Sequence, residues 1–147
     1  MAPNLMVLSF RRMKFISNPI FAEVFKQLKN LRRVDLSDCL GLLDTACCLM
    51  VEKNPQLSYL QLSGCTEGVN DEVLDMIANR LTTTLNFLDI SYCKRVTDEG
   101  LAHFNNKEIP LESLFINGVN GISGSAVKQM LHSVKDNLLD FEAALND

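Results

Sequence analysis

No stretch of this 147-residue chain is apolar for long enough to cross a bilayer as a helix. The opening "MAPNLMVLSFRRMK" carries its arginines after its apolar part, the reverse of a secretory signal, and no Asn-x-Ser/Thr sequon occurs. Basic residues are not in excess: 14 Lys and Arg face 18 Asp and Glu, so the net charge of −4 gives no global pull toward nucleic acid. The five cysteines are an odd number, which sits badly with a closed disulfide framework. An intracellular, reducing setting, cytoplasmic or nuclear, is the expectation. Histidine is nearly absent. His103 and His132 are the two present, and they fall in different segments, away from any cysteine or acid suited to activate a nucleophile. The glycine-rich run Ile116 to Ala126 lacks the lysine and the spacing of a P-loop. Neither catalysis nor a cofactor is expected.

What the chain does have is a repeat. The frame Leu-x-x-Leu-x-Leu-x-x-Cys fits "LRRVDLSDC" (Leu31 to Cys39), "LSYLQLSGC" (Leu57 to Cys65) and "LNFLDISYC" (Leu85 to Cys93). It fits "LMVLSFRRM" from Leu5 and "LESLFINGV" from Leu111, with Met13 and Val119 in the cysteine slot, and a degenerate copy starts at Leu138. The first leucines are 26, 26, 28, 26 and 27 residues apart. After each frame comes an aliphatic residue: Ile16, Leu42, Val69, Val96 or Ile122. Helix-opening polar residues follow at Ser17-Asn18, Asn70-Asp71, Thr97-Asp98 and Ser123; in the second unit Leu43 stands in that place and Asp44 remains. Apolar residues then recur at helical spacing. Each unit therefore reads as one short strand and one helix. Stacked units give a single α/β solenoid domain over residues 1–147, with about six units and a parallel sheet on the concave side.

Cys39, Cys65 and Cys93 hold one slot in three consecutive units, so they form a ladder at roughly the strand spacing of 4.8 Å. A thiol is small, apolar and a weak donor, which suits a buried slot. Met13 and Val119 in the same place point to packing, not to a metal, and a linear ladder does not give the tetrahedral array that zinc needs. Cys47 aligns with Leu101 and is expected in the core; Cys48 is expected to be partly exposed.

The segment Leu85 to Leu101, "LNFLDISYCKRVTDEGL", resembles the cysteine-containing class of leucine-rich repeats, and "LSYLQLSGC" and "LRRVDLSDC" match that class less fully. The resemblance implies an α/β horseshoe arc. It also implies a protein-binding role like that of F-box and leucine-rich-repeat substrate receptors of ubiquitin ligases. The first frame begins at Leu5 and leaves no room for an F-box on this chain, so contact with ligase components would run through an upstream region. No polar capping unit precedes the first frame; the acidic last unit could serve as a C-terminal cap. The alternative is a structural or assembly subunit of a stable complex, as in a scaffold or an organellar or ciliary assembly.

In a parallel strand with this pattern the leucines face the core and the residues between them face the concave surface. The third position of each unit reads Val7, Arg33, Tyr59, Phe87, Ser113 and Asp140. The fifth reads Ser9, Asp35, Gln61, Asp89, Phe115 and Glu142, and the seventh Arg11, Ser37, Ser63, Ser91, Asn117 and Ala144. Arg33, Asp35, Tyr59, Gln61, Phe87, Asp89 and Phe115, with Tyr92 at the edge, are thus the candidate partner-binding residues. Aromatic side chains ringed by charge supply contact area with little entropy to lose. The same pairs could also serve as cross-strand packing that stiffens the sheet. Arg11, Arg12, Lys14, Lys29, Arg32 and Arg33 form a basic zone in the first two units, read as a solvated surface or as a contact for phosphate or an acidic peptide.

Overall fold

Each leucine frame folds as a three-residue strand and each following segment as a helix. The structure, a computed structural model, describes residues 2–134 and 136–144. The strands are β1 (Val7–Ser9), β2 (Arg33–Asp35), β3 (Tyr59–Gln61), β4 (Phe87–Asp89), β5 (Ser113–Phe115) and β6 (Asp140–Glu142). The helices between them are α1 (Asn18–Gln27), α2 (Asp44–Lys53), α3 (Asp71–Arg80), α4 (Asp98–Ala102) and α5 (Gly124–Val134). The strands form one parallel sheet in chain order, and the pairing puts Val7, Arg33, Tyr59, Phe87, Ser113 and Asp140 in one row. That is the register the repeat frame predicts. A slip of one residue would turn every core leucine outward.

The core runs the length of the arc. Val34, Leu60, Leu88 and Leu114 at the strand centres are fully buried, as are Leu36, Leu62, Ile90 and Ile116 two residues on. The helices close the other side with Phe21, Phe25, Met50, Ile77 and Met130. No helix among the described residues is long and apolar enough to cross a membrane. Apolar side chains of the first unit, Met6, Val7, Phe15 and Ile20, remain exposed.

The chain leaves the sheet by the same turn in five units. Arg12, Asp38, Gly64, Tyr92 and Gly118 all have φ between 58° and 73°. Each glycine there makes room for the side chain one unit before: a Cβ on Gly118 would lie 2.5 Å from the Tyr92 ring, and one on Gly64 2.1 Å from the Asp38 carboxylate. A few residues on, the units approach more closely still. A Cβ on Gly41 would sit 2.0 Å from the Ile16 carbonyl oxygen, and one on Gly121 2.4 Å from that of Val96. Backbone cannot yield as a flexible side chain does. Gly41→Ala is therefore expected to cost about 2–3 kcal/mol by forcing the first two units apart. Urea unfolding checks this; a midpoint unchanged from the parent would show that the junction can relax.

The residues read as helix caps do more than cap. Asn70 and Thr97 do accept from their own helices, at Val73 N–H (3.0 Å) and Glu99 N–H (3.2 Å), and Ser123 from Ala126 N–H (3.2 Å). Ser17 makes no such bond. The next residue in each of the first four units reaches across to the following unit. Asn18 accepts from Leu43 N–H and Asp44 from the Asn70 amide. Asp71 takes both the N–H and the hydroxyl of Thr97 (2.8 and 2.6 Å), and Asp98 both those of Ser123 (2.6 and 2.8 Å). The result is a ladder of side-chain bonds that staples neighbouring helix starts.

Two sequence expectations need correction. Met13 does not pack in the cysteine slot but is 42% exposed, because its unit has no neighbour before it to close over the slot among the described residues. The sixth unit shows a strand and no helix among the described residues; Leu145, Asn146 and Asp147 lie outside them. The fourth helix is only five residues long, and Asn106 breaks the turns that follow it with φ 60°.

Candidate functional site on the concave face

The register brings the predicted residues onto neighbouring strands, where they stack. The Arg33 guanidinium lies 4.2 Å from the centre of the Tyr59 ring. Tyr59 and Phe87 are parallel within 13° with centroids 4.0 Å apart, and Phe115 tilts against Phe87 at 5.5 Å. One cation and three rings thus cross β2, β3, β4 and β5. Each ring contact of this kind is worth about 0.5–1.5 kcal/mol beyond buried area, and the exposed cation–ring contact about 0.5–1 kcal/mol. Cross-strand packing and outward presentation therefore coexist: Tyr59, Phe87 and Phe115 are half-buried, not bare.

A polar net holds the stack from one side. The Tyr59 hydroxyl donates to Gln61 Oε1 (2.8 Å), Gln61 Nε2 donates to Asp89 Oδ2 (3.1 Å), and Ser91 N–H donates to Asp89 Oδ1 (2.9 Å). Burial pushes the Tyr59 hydroxyl up from its ordinary pKa, against the Arg33 guanidinium, which lowers it. Asp89 is a correction: expected on the open surface, it is only 9% exposed, since the net folds it under its neighbours. It positions the stack and offers little surface of its own. Asp35 repeats the motif two strands away, accepting from the Ser37 N–H (3.0 Å) and hydroxyl (2.7 Å), and pairs with Arg11 at 3.3 Å. Arg11, in the seventh row of the concave face but left out of the candidate binding residues, thus belongs to the concave rim through its pair with Asp35 of the next unit. Tyr92 stands apart from the stack, 57% exposed at the turn.

A hollow of about 370 Å³ runs beside the stack, with Arg33 at one end, Tyr59 and Phe87 along it, and Glu112 at the other. A larger cavity, about 530 Å³, lies away from this face among Asn105, Lys128 and His132.

The cysteine ladder lies beneath, each thiol donating to a carbonyl of the preceding unit: Cys39 to Phe10, Cys65 to Leu36 and Cys93 to Leu62, at 2.6, 3.0 and 3.3 Å. All three are fully buried, as is Cys47, while Cys48 is half-buried. Burial raises every one of these thiols, Cys65 to about 12 and Cys48 to about 11. A thiol held in its protonated form is a poor nucleophile and a poor metal ligand.

His103 is a second correction. It is not remote from acids: its Nδ1 lies 3.1 Å from Asp75 Oδ1, which also accepts from Asn79. The two helices that carry them are neighbours, so the stacking of units makes a contact that chain distance hides.

A leucine-rich-repeat family model matches residues 83–103, the unit containing Cys93. A solved chain from the yeast Rad7 and Elc1 complex superposes over 95% of this chain with a TM-score of 0.73 and 21% identity. This chain spans 35% of that chain's length. With six parallel strands alternating with helices, these findings make the fold an α/β leucine-rich-repeat solenoid.

Proposed function

We propose that this chain is a non-catalytic recognition module that binds a protein partner on its concave face. Within the cell it would serve as the substrate-gripping part of a receptor of the F-box and leucine-rich-repeat type, or of a relative. The observation that carries the reading is the Arg33–Tyr59–Phe87–Phe115 stack: large, preorganised rings on a sheet face, framed by charge. Such rings lose little side-chain freedom on binding and are the residue types that dominate interface energetics. The likeness to a chain of the Rad7 and Elc1 complex supports membership of an assembly, and the cysteine ladder supports the cysteine-containing repeat class.

The test is purification of the native-length protein from cells with identification of what accompanies it, beside a Tyr59→Ala/Phe87→Ala double variant. Partners of the concave face should fall at least tenfold in the double variant, while its urea midpoint shows a loss of no more than about 2–3 kcal/mol for two half-buried rings. Ligase adaptor or cullin subunits among the companions would support the receptor form. One stoichiometric assembly without them would favour a structural subunit. A badly destabilised variant whose binding is unchanged would reduce the stack to packing.

A further inference from the structure

The concave face changes charge along its length. At the start of the arc stand Arg11 and Arg33, with Arg32 on the edge just before β2, all exposed. At its end stand Glu112, Asp140 and Glu142, exposed as well. Between them lies the ring stack. Arg11 is already paired with Asp35, and Glu142 accepts from the Asn117 amide, but Arg32, Glu112 and Asp140 make no ion pair among the described residues. The hollow beside the stack repeats this order within itself, from Arg33 past Tyr59 and Phe87 to Glu112.

The two ends cannot neutralise each other. Arg33 on β2 and Asp140 on β6 are four strands apart, roughly 19 Å at the usual strand spacing. That exceeds a physiological screening length of about 8 Å, so each end presents its own field. A uniformly acidic ligand would be attracted at one end and repelled at the other, and a uniformly basic one the reverse. Attraction at both ends with apolar contact between requires a ligand of mixed order.

Resting on the concave-face reading, we propose that the partner presents a linear polypeptide segment that is acidic at one end, apolar or aromatic in the middle and basic at the other. The acidic end lies over Arg33 and Arg32, the middle over Tyr59 and Phe87, and the basic end over Glu112 and Asp140. Charge pairs of this kind fix direction and register more than they add raw affinity. The segment would therefore bind in one orientation only.

The test is selection of a random 16-residue peptide library on the intact protein. Enriched peptides should carry opposite charges at opposite ends around an apolar centre. Arg32→Glu/Arg33→Glu should weaken them about tenfold, and Glu112→Lys/Asp140→Lys likewise. Exchanging the peptide's acidic residues for lysine should restore binding to the first variant and not to the second. Unfolding curves on each variant establish that the fold is retained. Peptides that depend on Tyr59 and Phe87 but show no charge order would overturn this proposal and leave the concave-face reading standing. Peptides indifferent to Tyr59→Ala/Phe87→Ala would overturn both. A library that yields nothing also overturns the proposal, since 16 residues suffice to span the face, while the concave-face reading keeps its own test.

Discussion

Replacing Asn54 with alanine is expected to cost the fold about 3–5 kcal/mol, lowering the melting temperature by roughly 10–15 °C. Asn54 is completely buried. Its Oδ1 accepts from Leu31 N–H at 2.9 Å, and its Nδ2 donates to the carbonyls of Leu28 and Met50 at 3.0 and 2.9 Å. The side chain thus ties the end of α2 to the connection between α1 and β2. Alanine would strand a buried N–H and leave buried carbonyls short of a donor, each costing about 1–3 kcal/mol, and would open a cavity besides. Asn54→Leu separates the two effects. Leucine fills the corresponding place at Leu28 and Leu81, so the space would be occupied, but Leu31 N–H would still lack its acceptor. Asn54→Asp should do worse than leucine, because it turns a carboxylate toward two carbonyl oxygens. Urea unfolding of the three variants would show the order. If Asn54→Leu were neutral, the bonds would contribute nothing net and the site would be a matter of volume.

Asn54 also marks where reading the chain stops short. The repeat frame was legible because its apolar slots return every 26–28 residues, and only stacked strand–helix units bury all of them. The concave rows followed from the two-residue alternation alone. Arg33, Tyr59, Phe87 and Phe115 could therefore be placed together from the sequence. Asn54 stands in an apolar slot, and nothing in the sequence shows that its side chain bonds back to the start of its own unit at Leu31 and to Leu28 of the unit before. Asp89 misled for a related reason. Its position in the strand is outward, but Gln61 on the preceding strand bonds to it and Ser91 folds back on it. Burial of a polar residue on a sheet depends on its cross-strand neighbours, which periodicity does not specify. The helix starts were ambiguous in principle: Ser, Thr, Asn and Asp are the residues that cap a helix, and they are also the residues that bond across to the next unit. His103 and Asp75 meet for the same reason, being 28 residues apart in the chain and one unit apart in space.

Raising the pH should unfold this protein earlier than its charge would suggest, and the buried thiols set the sign. Cys65 is pushed up to about 12, and Cys47 and Cys93 well above the ordinary thiol value, in each case chiefly by burial. An unfolded thiol titrates near pH 8.5. Below that value folded and unfolded chains both keep these protons, so stability does not depend on them. Above it the unfolded chain releases protons that the folded chain retains, and each such thiol removes about 1.4 kcal/mol of stability per pH unit. For these three together the slope is roughly 4 kcal/mol per pH unit, and Cys39 and Cys48, raised by burial as well, steepen it further. Domains of this size carry about 5–15 kcal/mol in total, so an unfolding midpoint between about pH 10 and 12 follows. Circular dichroism between pH 8 and 11, with urea titrations at each pH, measures the slope directly. Cys65→Val should make it shallower by about 1.4 kcal/mol per pH unit, and Cys65→Val/Cys93→Val by about twice that. Valine is tolerated in that slot, since Val119 occupies it in the fifth unit and is 2% exposed. A slope that ignores both substitutions would move the alkaline sensitivity to other titrating groups. It would also mean that the thiolates reach water without unfolding, and the ladder would then be an open feature of the fold and not part of its core.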